Sequence, residues 1–485
     1  EIDKVEIMYS KKITLFVLVL TFLSAIPFQT SAEEWKKKAD NTKRTKTIKS
    51  TAAGCLPGTA YQYLDVNNVR ARINTGGDMW WDFENGKYEI PKGTGKTSMF
   101  SAALWLGGVD VNDQLKLAAQ MYRYGPDIQG RSDTDYFTGP LTTDGSAAVS
   151  QATCKAYDRM FPISRQEVNE FVAKWDKPDK YPDYNPPRSI TEWPAHGDIT
   201  KGQSYYLAPF YDNNGDGDYN PSQGDYPYYD LDNDLCGTRT ATKDEIAGDV
   251  EPGTSVLADQ VIKGDETLWW VFNDKGNFHA ETTGAPIGVE IRAQAFGFST
   301  NDEIDDMSFY SYEIINRSTF TLKDTYFSQW VDTDLGDAVD DYVGCDVQRG
   351  LGYCYNGDPK DGQGQPWTYG ENPPAIGVDF FQGPYIDDDG VDNKKFTGDC
   401  SIFDFNAPAG SAHDGSAING INFGDSIVDN ERFGMRRFVY HNNPGSGAAG
   451  PYMHDPNYAI DYYNYLRGIW MDGTKMIYGG NGHES

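Results

Sequence analysis

Apolar and polar residues alternate with period two along much of the second half of the chain. Thr267–Phe272, Ile287–Phe298, Met307–Ile315 and Leu322–Val331 all carry this alternation or a short apolar run. Both are strand patterns, since successive strand side chains point to opposite faces of a sheet. Turns rich in Gly, Asn and Asp separate these runs at a spacing that suits a sandwich. Earlier in the chain, Tyr61–Ile73 alternates locally. Met99–Leu106 is a continuous apolar run closed by Gly107 and Gly108, as expected of a buried strand. One segment has helical period instead. Ser164-Arg-Gln-Glu167 forms a capping box, and Val168, Phe171, Val172 and Trp175 then fall on one face, which predicts a helix over 165–175. The expected fold is therefore mainly β: a β-sandwich-like C-terminal part over 251–485, preceded by a mixed, mostly β region over 55–250 with one short helix.

The ends read differently. Met8, Lys11 and Lys12 open an apolar run from Ile13 to Ile26, and Thr30-Ser-Ala32 supplies small residues before Glu33. This is the layout of a secretory signal and is too short for a membrane span. Residues 1–32 are expected to be upstream residues and signal, with a mature start at Glu33. Residues 33–54 read as a basic linker. The final residues close no element, which predicts truncation at the C-terminus. Export makes disulfides available to Cys55, Cys154, Cys236, Cys345, Cys354 and Cys400, in any of fifteen connectivities. The short Cys345/Cys354 spacing, with Gly350 and Gly352 between, makes those two the expected local pair.

Charge narrows the partners. The chain carries −30, and its first 50 residues hold ten Lys/Arg against six Asp/Glu, so the remainder carries −34. Such a field repels nucleic acid and anionic lipid and attracts cations. The acids are also patterned. In Phe210–Pro227, oxygen ligands recur at Asp212, Asn214, Asp216 and Asp218, with Gly217 at the sharp turn. A curling loop brings every second side chain inward, and Ca²⁺ takes six to eight hard oxygens. A bidentate Glu should close such a loop at its twelfth position, but Gln223 stands there and Asp225 is the nearest substitute. The competing reading is a solvated Asp/Asn/Gly turn. The same two readings, calcium or solvated turn, stand for Asp332, Asp334 and Asp337, for Asp387 and Asp389, and for Asp425, Asp429 and Glu431.

No G-x-S-x-G elbow and no H-E-x-x-H helix occurs. The six His show no tight metal-ligand spacing. A glycosidase needs only two opposed carboxylates, a requirement this many acids leaves open.

Several stretches, among them Asn67–Asp82, Ala103–Gly108, Thr267–Asp274, Asp324–Asp332 and Asp341–Asp346, resemble large, uncharacterised secreted proteins of Bacteroidota. The resemblance covers about residues 55–485. It implies export through the type IX secretion machinery, for which those proteins carry a C-terminal sorting domain, expected here to have been removed by the truncation. It also agrees with calcium at Asp212, Asn214, Asp216 and Asp218. The expected function is a secreted or outer-surface, calcium-stabilised structural, adhesive or ligand-binding protein meeting glycan or cell-surface components. The alternative is an extracellular enzyme acting on polysaccharide. Neither nucleic acid nor a membrane span after signal cleavage is expected.

Overall fold

The computed structural model describes residues 53–124, 133–229, 241–242, 262–347, 349–384, 420–421, 432–443 and 452–477. The fold is mainly β. The first sheet has eight strands: β1 (Tyr61–Leu64), β2 (Arg70–Asn74), β3 (Asp78–Met79), β4 (Tyr88–Glu89), β5 (Thr97–Met99), β6 (Ser101–Asp110) and β7 (Leu115–Ala118), joined by β16 (Leu322–Asp332). Its order is β16-β6-β3-β2-β4-β5, with β1 on β2 and β7 on β6. The second sheet has β8 (Phe137–Thr138), β9 (Phe161–Ser164), β13 (Glu266–Asn273), β14 (Val289–Gly297) and β15 (Phe309–Asn316). Here β13 is central: β14 pairs along one edge, and β8 and β9 share the other.

The two sheets share one core, as in a sandwich. Ile73, Met79, Trp80, Leu104 and Leu106 come from the first sheet, and Leu268, Trp270, Phe272, Ile291 and Ala293 from the second. Strict alternation splits the Trp269-Trp270 pair. Trp270 enters this core, while Trp269 enters a second one with Phe161, Ile163 and Phe171. A third cluster covers the opposite side of the first sheet, where Ala103, Trp105 and Trp330 meet Tyr462, Tyr463 and Tyr465. Strands from before and after residue 250 therefore share both sheets: β6 pairs with β16, and β9 with β13. The expected boundary there does not separate two sheets.

The first helix, α1, is Gln151–Ala156; the predicted helix is α2 (Arg165–Lys174). Ser164 Oγ accepts from Glu167 N at 3.2 Å, and Glu167 Oε2 accepts from Ser164 N at 2.9 Å. Such a cap stabilises by about 1 kcal/mol. Val168 and Phe171 bury its apolar face. Two further short helices, α3 (Arg188–Thr191) and α4 (Ala459–Leu466), lack so clear a sequence signature.

Three smaller elements matter for the sites. β10 (Phe210–Asp212), β11 (Tyr226–Pro227) and β12 (Ala241–Thr242) form one small sheet. β17 (Asp341–Asp346), β18 (Leu351–Asn356) and β21 (Ala375–Asp379) form another, and β19 (Lys360–Asp361) pairs with β20 (Gly370–Glu371).

The expected Cys345–Cys354 bridge is corrected: both thiols are free. Cys345 lies opposite Gly352, and Cys354 opposite Val343, so the two are diagonal neighbours. Diagonal positions lie roughly 7–8 Å apart, at the far limit of disulfide reach. The bridge forms instead between Cys55 and Cys154, with Cα atoms 6.0 Å apart and 99 residues between them in sequence. It docks the segment before β1 onto α1.

Candidate functional sites in two acidic clusters

β10 ends at Asp212 and β11 begins directly after Asp225, so the acidic loop is held at both ends by buried strands. Asp212 and Asp225 are buried, whereas Asn214, Asp216 and Asp218 are exposed. The two buried carboxylates organise the loop. Asp212 accepts from Gly215 N and Gly217 N, each at 2.7 Å. Both glycines have left-handed φ, +74° and +81°, which glycine adopts without steric cost. Asp225 accepts from Asn213 N at 2.8 Å and Asn220 N at 2.7 Å, closing the loop on itself. Tyr219 N donates to His196 Nε2 at 2.8 Å.

Burial raises the Asp225 carboxyl above the usual range, against the pull of its two backbone donors, and the charges of Asp212 and Asp216 push it further up. The exposed members bond to each other: Asn214 Nδ2 donates to Asp216 Oδ2 at 2.8 Å, and Asp218 N to Asp216 Oδ1 at 2.9 Å. The structure thus gathers the five predicted ligands into one loop but does not converge them. Among the described residues, no three His, Cys, Asp or Glu side chains surround a common point suited to a metal ion.

The second cluster lies between the end of β16 and the sheet of β17, β18 and β21. Asp332, Asp334 and Asp341 line a cleft of about 2430 Å³. Burial is the main cause that holds the Asp332 and Asp334 carboxyls above the ordinary carboxylate range; their neighbours add to it, Asp334 for Asp332 and Asp337 for Asp334. Tyr122 Oη donates to Asp332 Oδ2 at 2.8 Å. Beside them, Trp330 Nε1 donates to His441 Nε2 at 3.2 Å, which leaves His441 Nδ1 to donate to Asp455 Oδ1 at 2.9 Å. An indole N–H can only donate, so this tautomer follows from the partners.

Deeper in, Asp337 N donates to Asp361 Oδ1 at 2.8 Å, and Asp361 is fully buried. Burial pushes the Asp341 carboxyl up to about 7, with Asp340, Asp334 and Asp361 adding like charge. Asp340 Oδ1, Asp341 Oδ1 and Asn356 Oδ1 are buried with no hydrogen-bond partner. Buried acceptors without donors are costly. Hard carboxylate and amide oxygens are the donor type that a calcium-type ion takes, although here they do not surround one common point.

Of the further predicted ligands, Asp332, Asp334 and Asp337 belong to this cluster. Asp387, Asp389, Asp425, Asp429 and Glu431 lie outside the described residues. Sequence reasoning missed Tyr122, Asn356, Asp361, His441 and Asp455, which reach the cluster only through strand pairing and long connections.

Comparison with protein-family models, curated proteins and solved structures finds no match to this chain. Among the described residues, no helix is long and apolar enough to cross a membrane.

Proposed function

We propose that the chain is an exported, calcium-stabilised protein of the cell surface or its surroundings that binds a ligand, with a structural or adhesive role. The observation that carries the calcium part is the trio of buried, donorless oxygens on Asp340, Asp341 and Asn356 amid further carboxylates. A divalent cation there supplies the missing partner and offsets the burial, and the like charge added to it, that raise Asp341. Asp332, Asp334 and Asp337 stand next to it, and the loop of Asp212, Asn214, Asp216, Asp218 and Asp225 offers a second set of the same oxygens. Export is supported by the Cys55–Cys154 bridge, which persists in oxidising compartments. Passage through the type IX machinery belongs to the same reading and rests on the resemblance.

The test is a thermal melt of the purified chain in Ca²⁺ against chelator. An ion at a hundredfold excess over its Kd stabilises by about 2.7 kcal/mol. Asp341→Asn should remove much of that response. A melt indifferent to Ca²⁺ refutes the calcium reading.

A second reading, an extracellular enzyme acting on polysaccharide, is favoured by the Asp332–Asp334 pair in the cleft beside the His441–Asp455 pair. Carboxyls raised by burial above the ordinary carboxylate range suit general-acid work. Release of reducing ends from a polysaccharide panel, abolished in Asp332→Asn, is its expected result; no release sinks it.

A further inference from the structure

We propose that the outer face of the β17–β18–β21 sheet is a stacking platform for a neutral oligosaccharide. This deepens the ligand-binding reading and rests on it. Pairing sets Tyr342 opposite Tyr355, Gly344 opposite Tyr353, and Tyr353 and Tyr355 opposite Gly377 and Ala375. Directly opposed residues share a face, so Tyr342, Tyr353 and Tyr355 stand together. The other face carries Cys354, which is buried, Ile376 and Val378, which pack against the main core, and Val343, which lies opposite Cys354 and is half-exposed. The tyrosines are the outward set, exposed by 59%, 37% and 43% respectively.

Glycines decide how the rings lie. A Cβ on Gly344 would sit 2.5 Å from Tyr353 Cζ, and one on Gly357 would collide with the ring of Tyr342. These two rings therefore lie down across bare backbone rather than standing off the sheet. Ring centroids are 6.0 Å apart for Tyr342 and Tyr355, with 29° between planes, and 6.1 Å apart for Tyr353 and Tyr355, with 40°. Ala375 and Gly377 on β21 are exposed and add no bulk. The result is a low shelf of three neighbouring aromatic rings.

A pyranose presents an apolar C–H face that stacks on such rings, while its hydroxyls need polar partners at the edge. The tyrosine hydroxyls and the carboxylate of exposed Asp379, at the end of β21 on the same face, supply them. Asp346 ends β17 on this face and pairs with Arg349. The chain's charge of −30 selects against polyanions, and the apolar ring shelf with hydroxyl and carboxylate acceptors at its edge matches an uncharged sugar. A purely apolar partner would strip water from the hydroxyls and from the backbone beside the glycines without replacing its hydrogen bonds.

The test is affinity electrophoresis of the full chain in gels containing mixed-linkage β-glucan, xylan or galactomannan, with polygalacturonate as the anionic control. At least one neutral polymer should retard the chain and polygalacturonate should not. Tyr353→Ala with Tyr355→Ala should weaken retardation about tenfold or more, while the Phe pair should retain it, because stacking needs the ring rather than the hydroxyl. Hydrogen exchange on the unmodified chain guards against misfolding of the Ala pair: β17 and β18 amides should gain protection with the retarding polymer. Retardation unchanged in the Ala pair, or protection elsewhere only, overturns the platform and leaves ligand binding itself standing. Absence of retardation by all three neutral polymers overturns the platform too. Equal retardation by polygalacturonate overturns the neutral class. The calcium melt tests the other reading separately.

Discussion

Removing the Cys55–Cys154 bridge should destabilise the protein through its unfolded state. The bridge closes a sequence separation of 99 residues that runs from before β1 to α1. In the chain-entropy description, releasing a loop of that length costs about 4.7 kcal/mol. The folded state should change little. Cys55 and Cys154 stay packed against Phe137, and Cys55 N still donates to Gly276 O at 3.0 Å. For a chain of 485 residues, an unfolding entropy of about 2 cal/mol/K per residue gives about 1 kcal/mol/K, so the midpoint should fall by about 5 °C. The perturbation is Cys55→Ala with Cys154→Ala, or reduction of the wild type, read by calorimetry. Guanidinium curves should steepen as well, because an uncrosslinked unfolded chain exposes more surface. Alkylation of the unfolded, unreduced chain should label Cys345 and Cys354 but leave Cys55 and Cys154 unlabelled. A shift below about 1 °C after verified reduction would refute the entropic reasoning, and labelling of Cys55 would refute the pairing itself.

Two further outcomes follow from buried charge. Arg123 donates to Asp78 Oδ1 at 2.6 Å and to Gly58 O at 2.7 Å, and both members of the pair are buried; Arg123→Ala strands Asp78 and should cost about 3–5 kcal/mol in urea unfolding, with a loss below about 1 kcal/mol counting against it. Glu281 is buried, and burial followed by the Asp135 charge holds its carboxyl well above the ordinary range. The folded chain therefore keeps a proton that the unfolded chain releases, and stability falls as pH rises above the ordinary Glu pKa. Glu281→Gln should melt higher than wild type at pH 8 and equally at pH 4; a difference independent of pH would contradict the assignment.

The β character, the α2 cap and the long strands were legible because each is local. Capping needs four consecutive residues, and a strand's alternation is visible along the strand itself. Pairing was not legible. Nothing near Leu322–Asp332 announces β6 as its partner, so the chain read as two regions where the sheets interleave them. The disulfide failed for the same reason: short spacing favoured Cys345 and Cys354, while strand register set them diagonally and the fold brought Cys55 to Cys154. The acidic loop was legible as a loop because its ligand types sit within one turn. The orphaned oxygens of Asp340, Asp341 and Asn356 were not, since Asn356 enters that cluster only as the cross-strand partner of Asp341.

The tyrosine shelf shows the limit most sharply. Leu351-Gly-Tyr-Cys-Tyr-Asn356 alternates large and small, and area alone argues that the face with Leu351, Tyr353 and Tyr355 should be the buried one. The structure turns it outward and buries Cys354 instead. An inward choice would need room for two tyrosines where Ile376 and Val378 already meet the core, so packing around the neighbouring strand, not the hexapeptide's own pattern, decides the register. Aromatic surface left outside against its own periodicity costs burial that the fold could otherwise have gained. Local patterns usually agree with the global fold except where function or strain intervenes. Packing sets the inversion, and its consequence is the exposed aromatic face that the proposed platform requires, the same face that the glycines beneath the rings define.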